Sequence, residues 1–201
     1  MADNVATKSP LATLFHFLGL GLLLNAFRLT YRPDYFILAL FAKMGGRANF
    51  LTMWGLFFST VTFVFNTLIT LFPRNSSLRD FRKLSLAIAL PIESVVTTLY
   101  WPIVLYNPKM MMNPELEAVF PLTVDLALHL YPAILLWIDY FAFSDRFASS
   151  SNGKIKLSNS IQLSTLELNT IITVAYVSRI ELLSSLKSEV PRKLVHPYTK
   201  C

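Results

Sequence analysis

Two side chains suited to acyl transfer lie in apolar parts of the chain, where polar residues are costly. Thr52 lies near the start of a run from Ala48 to Pro73 that has no charged residue. His129 lies in a second apolar run, Ala118–Ile138, four residues after Asp125. A membrane protein that keeps an ionisable residue at bilayer depth usually does so for function. Because a hydroxyl beside an imidazole forms a nucleophile and its base, Thr52 and His129 are the predicted catalytic pair.

Three further residues are candidates to assist this pair. Asp125 lies one helical turn before His129, so its carboxylate can fix the tautomer of the imidazole. Arg47 and Asn49 precede Thr52, and they or backbone N–H groups at the start of that helix can stabilise an oxyanion. The geometry of such a site is not fixed by the sequence. At about 1.5 Å per residue, Thr52 lies about 6 Å and His129 about 17 Å into their runs, a mismatch in depth.

Polar residues at helical spacing predict a pocket between helices. The first stripe has spacings of 7, 7 and 4 residues and consists of Thr52, Ser59, Asn66 and Thr70. The second stripe includes a carboxylate and consists of Glu93, Thr97 and Tyr100. Lipid does not satisfy such groups, so both stripes are expected to face the interior of a bundle. The structural alternative is that they hold helices together, with Glu93 paired to an arginine or kept as a neutral acid. His16 is interpreted as structural.

Composition predicts an all-α fold, a polytopic transmembrane helical bundle. Of the 201 residues, 54% are hydrophobic and only 15% are charged, against about a quarter charged in soluble domains. Four runs approach the length of roughly 20 residues that crosses a bilayer: Leu11–Phe27, Ala48–Phe72, Leu84–Tyr106 and Leu116–Phe143. A fifth, Ile161–Ser178, is interrupted by polar residues, and Tyr35–Ala42 is too short. Residues 1–145 are predicted to form the bundle and 146–201 a connector, a weak fifth helix and a basic tail.

Charge and cysteine content exclude several classes of function. The net charge of +6 comes from residues that flank the apolar runs, as the positive-inside rule expects, so nucleic acid is not a predicted partner and membrane lipids are. The cationic stretch Arg74–Lys83 is expected to be a cytosolic loop. The single cysteine, Cys201, excludes an intramolecular disulfide. No cofactor or metal site is predicted.

Three segments in order resemble one known family. They are Gly45-Gly46-Arg47-Ala48-Asn49-Phe50-Leu51-Thr52, then Arg79-Asp80 with Leu90-Pro91 and Trp101, then His129-Leu130-Tyr131-Pro132 with Ile138-Asp139. Over residues 10–145 the chain resembles the androgen-induced protein 1 family, which includes the androgen-dependent TFPI-regulating protein, and is similar to its fungal members with a shortened C-terminal half. The resemblance implies a multi-pass hydrolase, with the endoplasmic reticulum as its expected location. It also implies cleavage of fatty acid esters of hydroxy fatty acids by Thr52 and His129.

Two other functions stay open. The chain is alternatively a non-catalytic lipid-binding or adaptor protein, an interpretation supported by the shortened C-terminal half. A third hypothesis is a proton-coupled carrier that uses Glu93, Asp125 and His129.

Overall fold

Among the described residues, four helices are long and apolar enough to cross a membrane, which confirms the predicted helical bundle. The computed structural model describes residues 9–32, 46–107, 121–143, 154–156 and 162–189. The first three helices are α1 (Pro10–Thr30), α2 (Leu51–Leu71) and α3 (Ser76–Tyr106). The fourth span, Leu122–Phe143, comprises α4 (Leu122–His129), α5 (Tyr131–Ile138) and a wide π-helical turn (Asp139–Phe143). The predicted short segment Tyr35–Ala42, most of the predicted connector after residue 145 and the predicted basic tail lie outside the described residues.

Helix α3 begins eight residues earlier than the predicted span, so the expected loop at Arg74–Lys83 was wrong. The helix begins here because Asn75 caps it, with its side chain accepting a hydrogen bond from the Leu78 N–H at 3.3 Å. Long cationic side chains on the first turns can extend toward the membrane surface while their backbone stays helical. The connection between α2 and α3 is therefore confined to residues 72–75.

Helices α2 and α3 form the central antiparallel pair of the bundle. Thr62 of α2 donates to Ser85 of α3 at 3.0 Å, and further along the pair Gly55 packs against Glu93. α1 and the fourth span pack against this pair. The four spans share one apolar core, whose fully buried members include Leu23, Leu56, Phe63, Val124 and Leu136.

The C-terminal part of the described chain is attached to α3. A short antiparallel hairpin, β1 (Lys154–Lys156) and β2 (Gln162–Ser164), leads into α6 (Thr165–Glu189). This helix corresponds to the predicted Ile161–Ser178 but is not among the four helices apolar enough to span a membrane.

A proline explains one contact between α6 and α3. Pro91 has no N–H, so it cannot donate to the Ala87 carbonyl one turn before it. The Asn169 side chain of α6 donates to that carbonyl instead, at 3.1 Å. Asn169, one of the polar residues that weakened the prediction of a fifth span, therefore supplies the hydrogen bond that Pro91 cannot donate within α3.

Candidate active site

A break in the fourth span positions His129. Pro132 cannot donate to the Leu128 carbonyl, and α4 ends at His129, with Leu130 outside the helical region at φ −129° and ψ −51°. Two side chains of α3 donate to the His129 carbonyl at this break: Thr97 Oγ1 at 2.6 Å and Trp101 Nε1 at 3.3 Å. The backbone beneath the imidazole is thus fixed to α3.

The imidazole itself is oriented by a carboxylate and an aromatic ring. Asp125 Oδ1 accepts from His129 Nδ1–H at 2.8 Å, and the Tyr100 hydroxyl donates to the same oxygen. The Tyr100 and His129 rings stack with centroids 3.7 Å apart and an interplanar angle of 7°. Among the described residues, Nε2 of His129 has no hydrogen-bond partner, so this nitrogen is left to accept a proton. The sequence predicted the contact between Asp125 and His129 but not the part of Tyr100.

Thr52 and the His129 backbone lie at nearly the same level along the bundle. Gly55, three residues after Thr52, packs against Glu93, while Thr97, four residues after Glu93, contacts His129. The step from Gly55 back to Thr52 is about 4.5 Å, and the step from Glu93 on to Thr97 is about 6 Å. Because α2 and α3 are antiparallel, both steps lead toward the same end of the bundle. The depth mismatch expected from the apolar runs is therefore not present in the backbone, because Thr97, which lies level with the start of α2, binds the His129 carbonyl.

Arg47 and Asn49, which were predicted to assist Thr52, make contacts with neighbouring parts of the bundle. Thr52 is half-buried in the first turn of α2. The Arg47 guanidinium lies 3.7 Å from the centre of the Tyr31 ring and donates to the Thr30 carbonyl at 3.4 Å. The Asn49 carbonyl accepts from the Tyr176 hydroxyl of α6 at 2.9 Å. Through these contacts both residues help to hold the start of α2 in place, whereas their predicted stabilisation of an oxyanion stays a prediction.

Glu93 lies deeper on the same side of the bundle. Its side chain is 0% exposed, and both carboxyl oxygens lack a hydrogen-bond partner among the described residues. A methyl group on Gly55 would overlap one of those oxygens, so the glycine leaves the space that the carboxyl occupies. In the part of the chain that the structure describes, Glu93 has no arginine partner, and Arg82 of the same helix binds other residues.

A second histidine–aspartate pair lies near the opposite end of the fourth span. Asp139, 0% exposed, accepts from His16 Nε2 of α1 and from Arg82 Nη2 of α3, both at 2.9 Å. Arg82 also donates through Nε to Asn66 of α2. The cluster joins all four spans, in keeping with the interpretation of His16 as structural, but its partners could not be predicted from the sequence. A separation of 123 residues between His16 and Asp139 has no helical periodicity to reveal it.

Within the described ranges, no three His, Cys, Asp or Glu side chains group closely enough to hold a metal ion.

The fold and the buried polar groups define a polytopic helical membrane protein. A family model described as FAR-17a/AIG1-like protein matches residues 11–186, so the chain belongs to the FAR-17a/AIG1-like family. The resemblance found in the sequence is thereby confirmed, and the match extends beyond residue 145 to include most of α6.

Two curated relatives come from yeasts. UPF0641 membrane protein YHR140W of Saccharomyces cerevisiae is 38% identical over 81 residues, which is 39% of this chain and 31% of the relative. UPF0641 membrane protein PJ4664.05 of Schizosaccharomyces pombe is 32% identical over 88 residues, 44% of this chain and 40% of the relative. The matched parts thus span less than half of each relative. No solved structure matches the chain.

Proposed function

We propose that the protein is an intramembrane lipid-ester hydrolase in which Thr52 is the nucleophile and His129 the general base. The observation that carries the proposal is the common level of Thr52 and His129 in the bundle, together with a His129 Nδ1 already bound to Asp125 at 2.8 Å. An imidazole held in this way directs Nε2 toward a hydroxyl. Membership of the FAR-17a/AIG1-like family supports the same assignment.

The reaction needs only these side chains, a lipid ester and water. Nε2 of His129 takes the proton of the Thr52 hydroxyl while the threonine oxygen attacks the ester carbonyl. The tetrahedral intermediate then expels the alcohol, which receives the proton from the imidazolium and leaves an acyl-threonine. Water, deprotonated by the same nitrogen, attacks this acyl group and releases the fatty acid and free Thr52.

Two features of the fold support this chemistry. Asp125 stabilises the imidazolium that forms in each step, and the Tyr100 hydroxyl holds the carboxylate in place. In the first turn of α2 the Met53 N–H already bonds to the Phe50 carbonyl at 3.0 Å, so the N–H of Thr52 is the donor proposed to stabilise the negative charge on the carbonyl oxygen. Because Thr52 lies at the start of a membrane helix, we expect an ester that enters from the bilayer, with the endoplasmic reticulum as the proposed membrane.

Two substitutions test the proposal in purified protein reconstituted into phospholipid nanodiscs. Thr52→Ala should abolish both labelling by a fluorophosphonate probe and hydrolysis of a fluorogenic long-chain ester. His129→Ala should lower turnover by about 100-fold or more, the usual contribution of a general base. Thr98→Ala is the matched control, because Thr98 is an exposed threonine of α3 whose hydroxyl bonds only to its own helix.

Undiminished labelling or turnover in Thr52→Ala would show that Thr52 is not the nucleophile. Stoichiometric lipid binding without turnover in the parent protein would instead favour the non-catalytic, lipid-binding alternative. Flux of protons into sealed liposomes that depends on Glu93 would favour the carrier hypothesis.

A further inference from the structure

Glu93 has no part in the proposed reaction, yet its burial is costly. Both carboxyl oxygens are buried and without a hydrogen-bond partner among the described residues. A buried polar group left unsatisfied costs about 1–3 kcal/mol, and more when it is charged. Native proteins rarely keep such a group without a reason in the form of a ligand, a water or a chemical role.

A second unsatisfied group faces the same place. Ser59 is 0% exposed, and its hydroxyl oxygen also lacks a partner among the described residues. Ser59 and Gly55 are four residues apart on α2 and share a helix face, and Gly55 packs against the Glu93 carboxyl, so the Ser59 and Glu93 side chains are neighbours. Gly55 lies one turn before Ser59 on α2 and leaves the carboxyl its space. Two buried polar groups without a hydrogen-bond partner among the described residues, one on α2 and one on α3, therefore face each other across the interface between these helices.

We infer that Glu93 and Ser59 form a binding subsite for one uncharged hydrogen-bonding group, a hydroxyl or a carbonyl, carried on the hydrocarbon chain of a lipid. A hydroxyl and a carboxyl both donate and accept hydrogen bonds, so together they can bind such a group from two sides. Arg82 lies about 16 Å from Glu93 along α3 and is bound to Asp139 at 2.9 Å, so it does not supply a positive charge for an anionic ligand at this place. A charged group would also pay a penalty to reach this depth.

The location of the subsite gives it a meaning for specificity, and this step rests on the proposed hydrolase function. Glu93 lies about 6 Å deeper than the contact of Thr97 with His129, and Ser59 lies two turns, about 10 Å, beyond Thr52 on the same face of α2. An acyl chain whose ester is held at Thr52 would reach this place about 5–10 Å further into the bundle. The subsite would then select chains that carry a polar group at that distance from the ester.

Binding can be measured without turnover by using Thr52→Ala as the parent protein. Two photoactivatable long-chain esters, identical except for one mid-chain hydroxyl, are compared for crosslinking in phospholipid nanodiscs. We expect the hydroxylated ester to bind roughly tenfold more tightly, the equivalent of about 1.4 kcal/mol. Glu93→Gln keeps a donor and an acceptor and should retain this preference, whereas Glu93→Leu and Ser59→Ala should lose it. Thr98→Ala should retain it.

Equal binding of the two esters by the parent, or an unchanged preference in Glu93→Leu, would overturn the inference. Should Glu93→Leu fail to fold, Ser59→Ala decides, since it removes a single oxygen. Failure of the hydrolase proposal is seen separately, because it concerns turnover by the protein with Thr52 intact and leaves the crosslinking result unaffected.

Discussion

The cluster of His16, Arg82 and Asp139 should contribute more to stability than any other polar contact described above. Asp139→Asn keeps the size of the side chain but leaves one oxygen for two donors, His16 and Arg82, which each now donate to the carboxylate at 2.9 Å. Removing one partner of a buried ion pair typically costs about 3–5 kcal/mol. Because Arg82 keeps its bond to Asn66 and is 15% exposed, the lower part of that range applies, about 3 kcal/mol.

The free energy of unfolding can be measured in mixed micelles by titration with a denaturing detergent, followed by far-ultraviolet circular dichroism. Asp125→Asn is the matched control: the same substitution in the same span, at a carboxylate that also binds a histidine. There the partners are Tyr100 and His129, so no arginine is left unpaired, and we expect a loss of about 1 kcal/mol. The order of the two variants should be reversed for the rate of ester hydrolysis, which Asp125→Asn should lower more than Asp139→Asn.

A loss of less than about 1 kcal/mol in Asp139→Asn would refute the structural role of the cluster, since the cost of leaving the arginine unpaired would be absent. A loss of hydrolysis with unchanged stability would refute it in another way, by making Asp139 part of the active site. The double variant Arg82→Met, Asp139→Leu gives a further check. It removes the charged pair together, so it should recover most of the stability that Asp139→Asn loses.

The other predictions concern packing and can be tested by the same titration. Gly19→Ala would push a methyl group into the buried Phe63 ring and should cost about 1–3 kcal/mol, while Gly21→Ala, which faces open space on the same helix, should be neutral or stabilising by about 0.5–1 kcal/mol. Equal effects at the two glycines would contradict this packing of α1 on α2. Asn169→Ala should leave the Ala87 carbonyl without its donor, cost about 1 kcal/mol and increase hydrogen exchange in α6; unchanged exchange would contradict the contact.

Features set by local spacing could be predicted from the sequence. Apolar length gave the four spans, and the i, i+4 relation of Asp125 and His129 predicted their contact, because residues four apart share a helix face. The buried positions of Ser59 and Glu93 followed from the same periodicity.

What the sequence could not give is how the helices are placed relative to one another. Packing of Gly55 against Glu93 places Thr97 of α3 level with the start of α2, and the bond from Thr97 to the His129 carbonyl brings that residue near the level of Thr52. Likewise, His16 looked isolated because its partner, Asp139, is distant in the chain. Such pairings depend on tertiary packing, which overrides what periodicity alone can indicate.

The bond from Asn169 to the Ala87 carbonyl has a consequence for biosynthesis. The ribosome completes α3 long before it reaches residue 169, so the newly inserted helix must wait with an unsatisfied carbonyl within its apolar stretch. In hydrocarbon such a group seeks any donor available, including those of the insertion machinery or a neighbouring nascent helix. Assembly of the bundle is therefore completed from its C-terminal side, when α6 arrives and replaces that temporary partner.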